Sequence, residues 1–225
     1  MSRFRPFFVA AAVVVAAVGS ASAGPIIADP VGDRFGSTGP DITGIGADHF
    51  DNPGFVTFTV QFAGPIAPPS AFAPNSVTGF IDIDADKNPA TGNTNPFVNQ
   101  FGGSPPFNLG SELSVDLFSE LFHPGMVDVT DGFGGTVLAT VPITFGPSGF
   151  TFLVPNSVFT GVGGSVSFNY AAVFGDFLAP SDRVPNGATP LASTPEPTSL
   201  AAFGFLALAA GAAVRRKTPA ASPVA

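Results

Sequence analysis

Between residues 24 and 193 the apolar residues of this chain recur at every second position in short runs, and no stretch keeps up the 3.6-residue period of a helix. Successive side chains of a strand point to opposite faces, so period two marks strands with one buried face. Phe55–Phe62 is the clearest run, with Val56, Phe58, Val60 and Phe62 on one face and Phe55, Thr57, Thr59 and Gln61 on the other. Ser111–Phe118 alternates in the same way, with Leu113, Val115 and Leu117 inward and Glu112, Ser114 and Asp116 outward. Further strands are predicted over Ile42–Ile45, Val77–Asp84, Met126–Val129, Val137–Val141, Phe150–Val154 and Val166–Phe174. The chain's 27 Gly and 24 Pro, with Asn and Asp, punctuate the gaps. Short, regularly spaced strands of this kind predict an all-β domain, an antiparallel β-sandwich or jelly roll. The Gly/Pro/Asn-rich stretch from Asn93 to Asn108 is expected to be a long, mobile loop.

Charge narrows the partners. Residues 24–193 hold three basic residues (Arg34, Lys87, Arg183) against fifteen acids, a net charge of −12. Such a surface repels phosphate backbones, which excludes nucleic acid as a partner, and it favours hard cations. The absence of cysteine removes disulfides, thiolate metal sites and cysteine nucleophiles together.

The other five basic residues flank two terminal apolar runs. Arg3 and Arg5 precede Phe7–Val18, and Ala21-Ser22-Ala23 follows with small side chains before Gly24. This is the tripartite order of a secretory signal peptide, residues 1–23, with cleavage expected between Ala23 and Gly24. A buried core helix would need a polar face, which this run lacks. At the other end, Thr194-Pro195-Glu196-Pro197 precedes the apolar run Leu200–Val214 and the cluster Arg215-Arg216-Lys217. Fifteen helical residues at about 1.5 Å each span roughly 22 Å, short for a ~30 Å hydrocarbon core. Counting back to Thr198 and letting the basic side chains snorkel allows a marginal transmembrane helix, its charged end held in the cytoplasm.

Pro195-Glu196-Pro197, the short apolar helix and the Arg cluster together resemble the PEP-CTERM sorting signal of bacteria that make extracellular polymer. The resemblance covers residues 194–217 and implies recognition and removal of the tail by an exosortase-type protease. Residues 218–225 form a further tail, longer than such signals usually carry. A plain membrane anchor is the alternative.

The interior's most informative stretch is Phe80–Gly92, where a strand carrying Asp82 and Asp84 on one face runs into a turn with Asp86 and Asn88. Carboxylates this close repel one another unless a cation or hydrogen bonds neutralise them, and calcium takes six to eight oxygen ligands of this kind. Asp84-x-Asp86-x-Asn88 opens like an EF-hand loop, but Pro89 stands where glycine is required and Asn95 where glutamate is required. A solvated turn, with Asp and Asn capping their own backbone, is the alternative reading.

Taken in order, Asp29-Pro30-Val31-Gly32-Asp33, Pro40-Asp41-Ile42-Thr43, Asp82-Ile83-Asp84, Asn88–Gly92, Gly110-Ser111-Glu112-Leu113 and Asp182-Arg183-Val184-Pro185-Asn186 resemble the DOMON-like β-sandwiches. These are related to family-nine carbohydrate-binding modules and are found in exported bacterial proteins. The resemblance spans about residues 28–188 and implies a structural Ca²⁺. Its ligands would be Asp84, Asp86, Asn88 and Glu112, with Asp29, Asp33 and Asp41 as a second cluster.

Sugar binding, which the related modules suggest, sits poorly with this composition. Sugar rings stack on Trp or Tyr, and the chain has no Trp and one tyrosine, Tyr170, in a core-like run. His49 and His123 lie in turn-like sequence, and no nucleophile elbow or zincin motif is present. The sequence therefore predicts a non-enzymatic, exported surface or extracellular-matrix protein. Its partners would be export machinery, the exosortase, extracellular polysaccharide and, transiently, the membrane; the alternative is a surface module for a glycan or small ligand. Intact-mass spectrometry of the protein from its native host is expected to show a chain that begins at Gly24 and lacks Leu200–Lys217. A mass that retains that segment would contradict tail removal.

Overall fold

The structure, a computed structural model, describes residues 26–35, 39–50, 52–103, 105–176 and 179–193. The cleavage residues Ala21, Ala23 and Gly24, the sorting residues Pro195, Glu196, Pro197, Arg215, Arg216 and Lys217, and both expected flanking helices lie outside the described residues.

The described chain is mostly antiparallel β-sheet. Its strands are β1 (Ile27–Ala28), β2 (Ile42–Asp48), β3 (Phe55–Phe62), β4 (Thr78–Asp84), β5 (Leu113–Asp116), β6 (Met126–Asp131), β7 (Val137–Gly146), β8 (Gly149–Pro155), β9 (Asn169–Gly175), β10 (Pro180–Val184) and β11 (Leu191–Ala192). Two short helices interrupt them, α1 (Phe97–Phe101) and α2 (Asn156–Gly161). The strands form one sheet in the order β1-β2-β3-β8-β7-β6-β5-β4-β9-β10, with β11 beside β9. Strand β7 turns the corner: Val137–Pro142 pairs with β6, and Ile143–Gly146 pairs with β8. The sheet thereby curls into a half-barrel whose two arms face each other.

Apolar side chains from both arms fill the concave side. Val56, Phe58 and Val60 of β3 are fully buried, as the alternation predicted, while Phe55 is exposed. Phe58 stacks on Phe152 of β8 at 5.2 Å and meets the Tyr170 ring of β9 edge-on at 6.1 Å. Phe62 meets Phe174 edge-on at 5.8 Å. Offset and edge-on pairs suit the aromatic quadrupole and add to the burial of apolar area. Tyr170 is an ordinary core tyrosine: burial pushes its hydroxyl pKa well up, and the backbone at Ala47 supplies its hydrogen bond.

Two expectations need correction. The Ser111–Phe118 strand is shorter, since Leu117–Leu121 closes into a 3₁₀ turn capped by Asp116 Oδ1 accepting from the Phe118 amide at 2.8 Å. Nor is the face carrying Ser114 and Asp82 open to water, because both residues are fully buried. The stretch from Asn93 to Asn108 covers that face. It carries α1, and Val98, Phe107 and Leu109 make a second small core against Ala171, Val173 and Phe80. The cover is tied down by Asp82 Oδ2 accepting from the Val98 amide at 2.7 Å, and by Asn99 exchanging two hydrogen bonds with the Phe107 backbone. An apolar-polar pattern read on one strand cannot show that a distant segment will bury its polar face.

The open edges of the half-barrel approach each other along a seam between β10 and the chain entering β2. The Ile42 amide donates to Asp182 Oδ2 at 2.7 Å, the Phe35 amide to the Ser181 carbonyl at 3.0 Å, and the Ser181 hydroxyl to the Pro40 carbonyl at 2.9 Å. Side chains and loop backbone thus satisfy an edge that would otherwise invite strand addition.

Because Phe58 contacts both arms, Phe58→Ala is expected to destabilise the fold by about 3–5 kcal/mol, the range for emptying an aromatic core position. Urea unfolding should show a lower midpoint at unchanged slope; a loss under 1 kcal/mol would mean that the arms do not share this core.

Candidate functional site

Strand β4 delivers Asp84 to the rim of the sheet, where the chain turns through Ala85–Gly92 and is met by Glu112 from the start of β5. The Glu112 amide donates to the Ile83 carbonyl at 3.1 Å, and Glu112 Oε2 accepts from the Ala85 amide at 2.9 Å, which fixes that carboxylate over the turn. Carboxylate oxygens of Asp84, Asp86 and Glu112 all lie within 4.8 Å of one another. Gly92, at φ +60°, closes the turn beneath them, and a Cβ there would fall 2.6 Å from Glu112 Oε1, so only glycine leaves the space clear.

Polar bookkeeping separates this site from an ordinary acidic turn. Asp84 Oδ1 accepts from the Asn88 amide at 3.0 Å, yet Asp84 Oδ2 and Glu112 Oε1 are buried without a hydrogen-bond partner. Glu120, also buried, shows the usual arrangement for a carboxylate: its oxygens accept from the Ser70 amide and hydroxyl and from the Gly125 amide at 2.7–2.9 Å. A buried carboxylate oxygen left unsatisfied is costly, and a cation is one way to remove the cost. Burial, and then the charge of Glu112, raises the Asp84 pKa to about 6; burial also raises that of Glu112. Lys87, within the turn, donates instead to Ser167 Oγ at 2.6 Å.

Of the four ligands expected here, three converge through their side chains. Asn88 takes part through its backbone amide, bonded to Asp84 and Asp86, while its side-chain oxygen accepts from Ala90 at 3.2 Å. The turn therefore combines both readings of the sequence, backbone capping by Asp86 and Asn88 beside a carboxylate cluster.

The second expected group, Asp29, Asp33 and Asp41, lies at the seam. Asp182, which the sequence reading left unassigned, joins it: oxygens of Asp29, Asp33 and Asp182 lie within 4.8 Å of one another. Asn186 Nδ2 donates to Asp29 Oδ1 at 2.9 Å and to Asp33 Oδ2 at 2.6 Å. Both residues stand in the stretch Asp182–Asn186, but nothing local shows that β10 returns to the N-terminal turn. Burial, and then the neighbouring charges of Asp182, Asp33 and Asp41, raises the Asp29 pKa to about 7. Burial raises that of Asp182 to about 6.

Neither histidine joins these clusters: His123 is exposed, and half-buried His49 packs on the Phe50 ring at 4.1 Å. No helix among the described residues is long and apolar enough to cross a membrane, and the run Leu200–Val214 lies outside them. Comparison with protein families, curated proteins and solved structures gives no match to this chain.

The pKa shifts fix the sign of a pH effect. An acid whose folded pKa is raised favours folding in its neutral form, so its contribution is complete below the unfolded value near 4 and is lost as pH rises through the folded one. For Asp29 and Asp82 that folded value is about 7, and for Asp84 and Asp182 about 6. In chelator, the thermal midpoint is therefore expected to fall steadily from pH 4 to pH 7. A midpoint that rises over this window would show that the four carboxylates are compensated without metal.

Proposed function

We propose that this chain is a non-enzymatic, exported surface or matrix protein whose calcium-braced, DOMON-like β-sandwich is delivered outside the cell by a PEP-CTERM-type tail. The convergence of Asp84, Asp86 and Glu112, with Asp84 Oδ2 and Glu112 Oε1 buried and unpartnered, carries this reading. Three points within 4.8 Å of one another lie no more than about 2.8 Å from a common centre, and calcium–oxygen bonds run about 2.3–2.6 Å. A small inward movement of the three carboxylates would bring them to bonding distance. Backbone carbonyls and water would complete the shell, and oxygen-only donors suit a hard cation.

A calcium ion here would act structurally. It would join the end of β4 to the start of β5 and neutralise a rim that no basic side chain among the described residues compensates. The terminal sequences support the sorting part of the proposal, and the acidic surface suits a protein that must stay soluble in the medium.

The alternative, a binding module, draws on an apolar cavity of about 150 Å³ between β4, β9 and the 3₁₀ turn. Phe80, Phe101, Phe118 and Phe174 line it, with Thr78 and Asp176 as its polar side chains. Such walls suit a small apolar molecule better than a hydroxyl-rich sugar. The scaffold reading therefore stands first.

Millimolar calcium at pH 7.5 is expected to raise the thermal midpoint of the full chain by roughly 5–10 °C over chelator, as about 2.7 kcal/mol of linkage would do at a hundredfold excess over Kd. Glu112→Gln, which keeps an acceptor for the Ala85 amide, should lose the part of that gain that the β4–β5 centre supplies. Equal midpoints with calcium and chelator in the wild type would reduce Asp84–Asn88 to a hydrogen-bonded turn.

A further inference from the structure

The half-barrel's seam gathers four carboxylates from three parts of the chain. Asp29 follows β1, Asp33 lies in the next turn, Asp41 immediately precedes β2, and Asp182 sits on β10. Asp29 and Asp41 are 7% and 8% exposed, and Asp182 is fully buried. Asp41 Oδ2 accepts from the Gly32 amide at 2.8 Å, and both Asp182 oxygens accept from backbone amides, those of Ile42 and Arg183. Asp29 Oδ2 and Asp41 Oδ1 have no partner at all.

The two guanidinium groups adjacent in sequence turn elsewhere. Arg34 Nη1 donates to the Gly39 carbonyl at 2.7 Å. Arg183 donates to the carbonyls of Pro105 and Asn186 and lies over the Phe107 ring at 5.2 Å. The positive edge facing the carboxylates is instead the Asn186 amide, bonded to Asp29 and Asp33 at once. An amide group offers a donor on one side and an acceptor on the other, so half a turn about its axis would present Oδ1 to a cation in the same place.

We propose that Asp29, Asp33, Asp41 and Asp182, with Asn186, form a second calcium site, which latches the N-terminal segment onto β10 across the half-barrel's open seam. Its donors are all oxygens, mixing carboxylates with one amide, as calcium accepts and zinc does not prefer. Its place gives it a role that the β4–β5 centre cannot have. The seam is closed by a few side-chain and loop hydrogen bonds and by no ladder between β2 and β10. A divalent ion bound to groups from both edges would hold together two parts of the chain about 150 residues apart. The site stands independently of the first centre, and either can fail alone.

The test is equilibrium dialysis of the full chain against calcium at pH 7.5, with hydrogen–deuterium exchange of residues 26–35. The wild type is expected to bind two ions per chain, and calcium should slow exchange over 26–35 by about tenfold or more, as binding at ten times Kd would. Asp33→Asn alters an exposed carboxylate, and Asn186→Ala alters an exposed amide. Each should bind one ion fewer and lose the calcium effect at 26–35 with an unchanged circular-dichroism spectrum. Glu112→Gln should also bind one ion fewer but keep that effect. If Asp33→Asn and Asn186→Ala both retain the full stoichiometry and the slowed exchange, or if the wild type shows no calcium effect at 26–35, the seam site is overturned. A wild type that binds one ion, lost in Asp33→Asn and kept in Glu112→Gln, would support the seam and sink the β4–β5 centre.

Discussion

An ionised carboxylate withdrawn from water must find hydrogen bonds or a counter-charge, and in this domain the counter-charges are scarce. Three basic residues serve fifteen acids, and each of the three donates to a carbonyl or hydroxyl. Where the backbone can supply enough donors, as around Glu120, the acid is an ordinary structural clamp between the 3₁₀ turns at Pro69–Ala71 and Leu117–Leu121. Where it cannot, at the β4–β5 rim and at the seam, buried oxygens stay unpartnered. The rim joins β4 to the next strand of the sheet, and the seam joins segments about 150 residues apart.

The topology explains why the acids gather there. Strands β4 to β8 run as a continuous meander, while β3 enters beside β8 and β9 beside β4. Besides the passage through β7, the chain crosses between the arms before β4 and again through α2, and each of these crossings leaves turns at the sheet's ends. Turns carry Asp and Asn because those side chains bond the nearby backbone, as Asp86 and Asn88 do in the Asp84–Gly92 turn, where Lys87 and Gly92 take positive φ. Stacking such turns against one another concentrates negative charge.

The second small core changes what β4 and β9 can carry. With Val98, Phe107 and Leu109 over their convex side, these strands are buried on both faces, so β9 reads Tyr-Ala-Ala-Val-Phe without alternation. The same cover turns Asp82 from a surface acid into a buried one that holds the start of α1 through the Val98 amide, its pKa raised to about 7 by burial. A Gly/Pro/Asn-rich composition reads as loop; the few apolar residues spaced through it make it a lid on the sheet.

Strands β2 to β9, most of their inward faces and the grouping of Asp84 with Asp86 were legible in the sequence, because alternation is a local pattern and the acids of one turn are neighbours in the chain, whereas β1, β10 and β11 were not. Glu112 lies 26 residues beyond Asp86 in the chain, and only the ladder, in which Ile83 pairs with Leu113, brings it to the end of β4. Asp182 and Asn186 were not assigned, since their nearness to Asp29 and Asp33 depends on β10 returning to the N-terminal edge. The burial of Asp82 and Ser114 was hidden for the same reason. By itself, the sequence determined a chain built mainly of β-strands, most with one apolar face, and an excess of acids at its turns. The tertiary structure alone decided which acids lose their water, because burial depends on segments arriving from elsewhere in the chain.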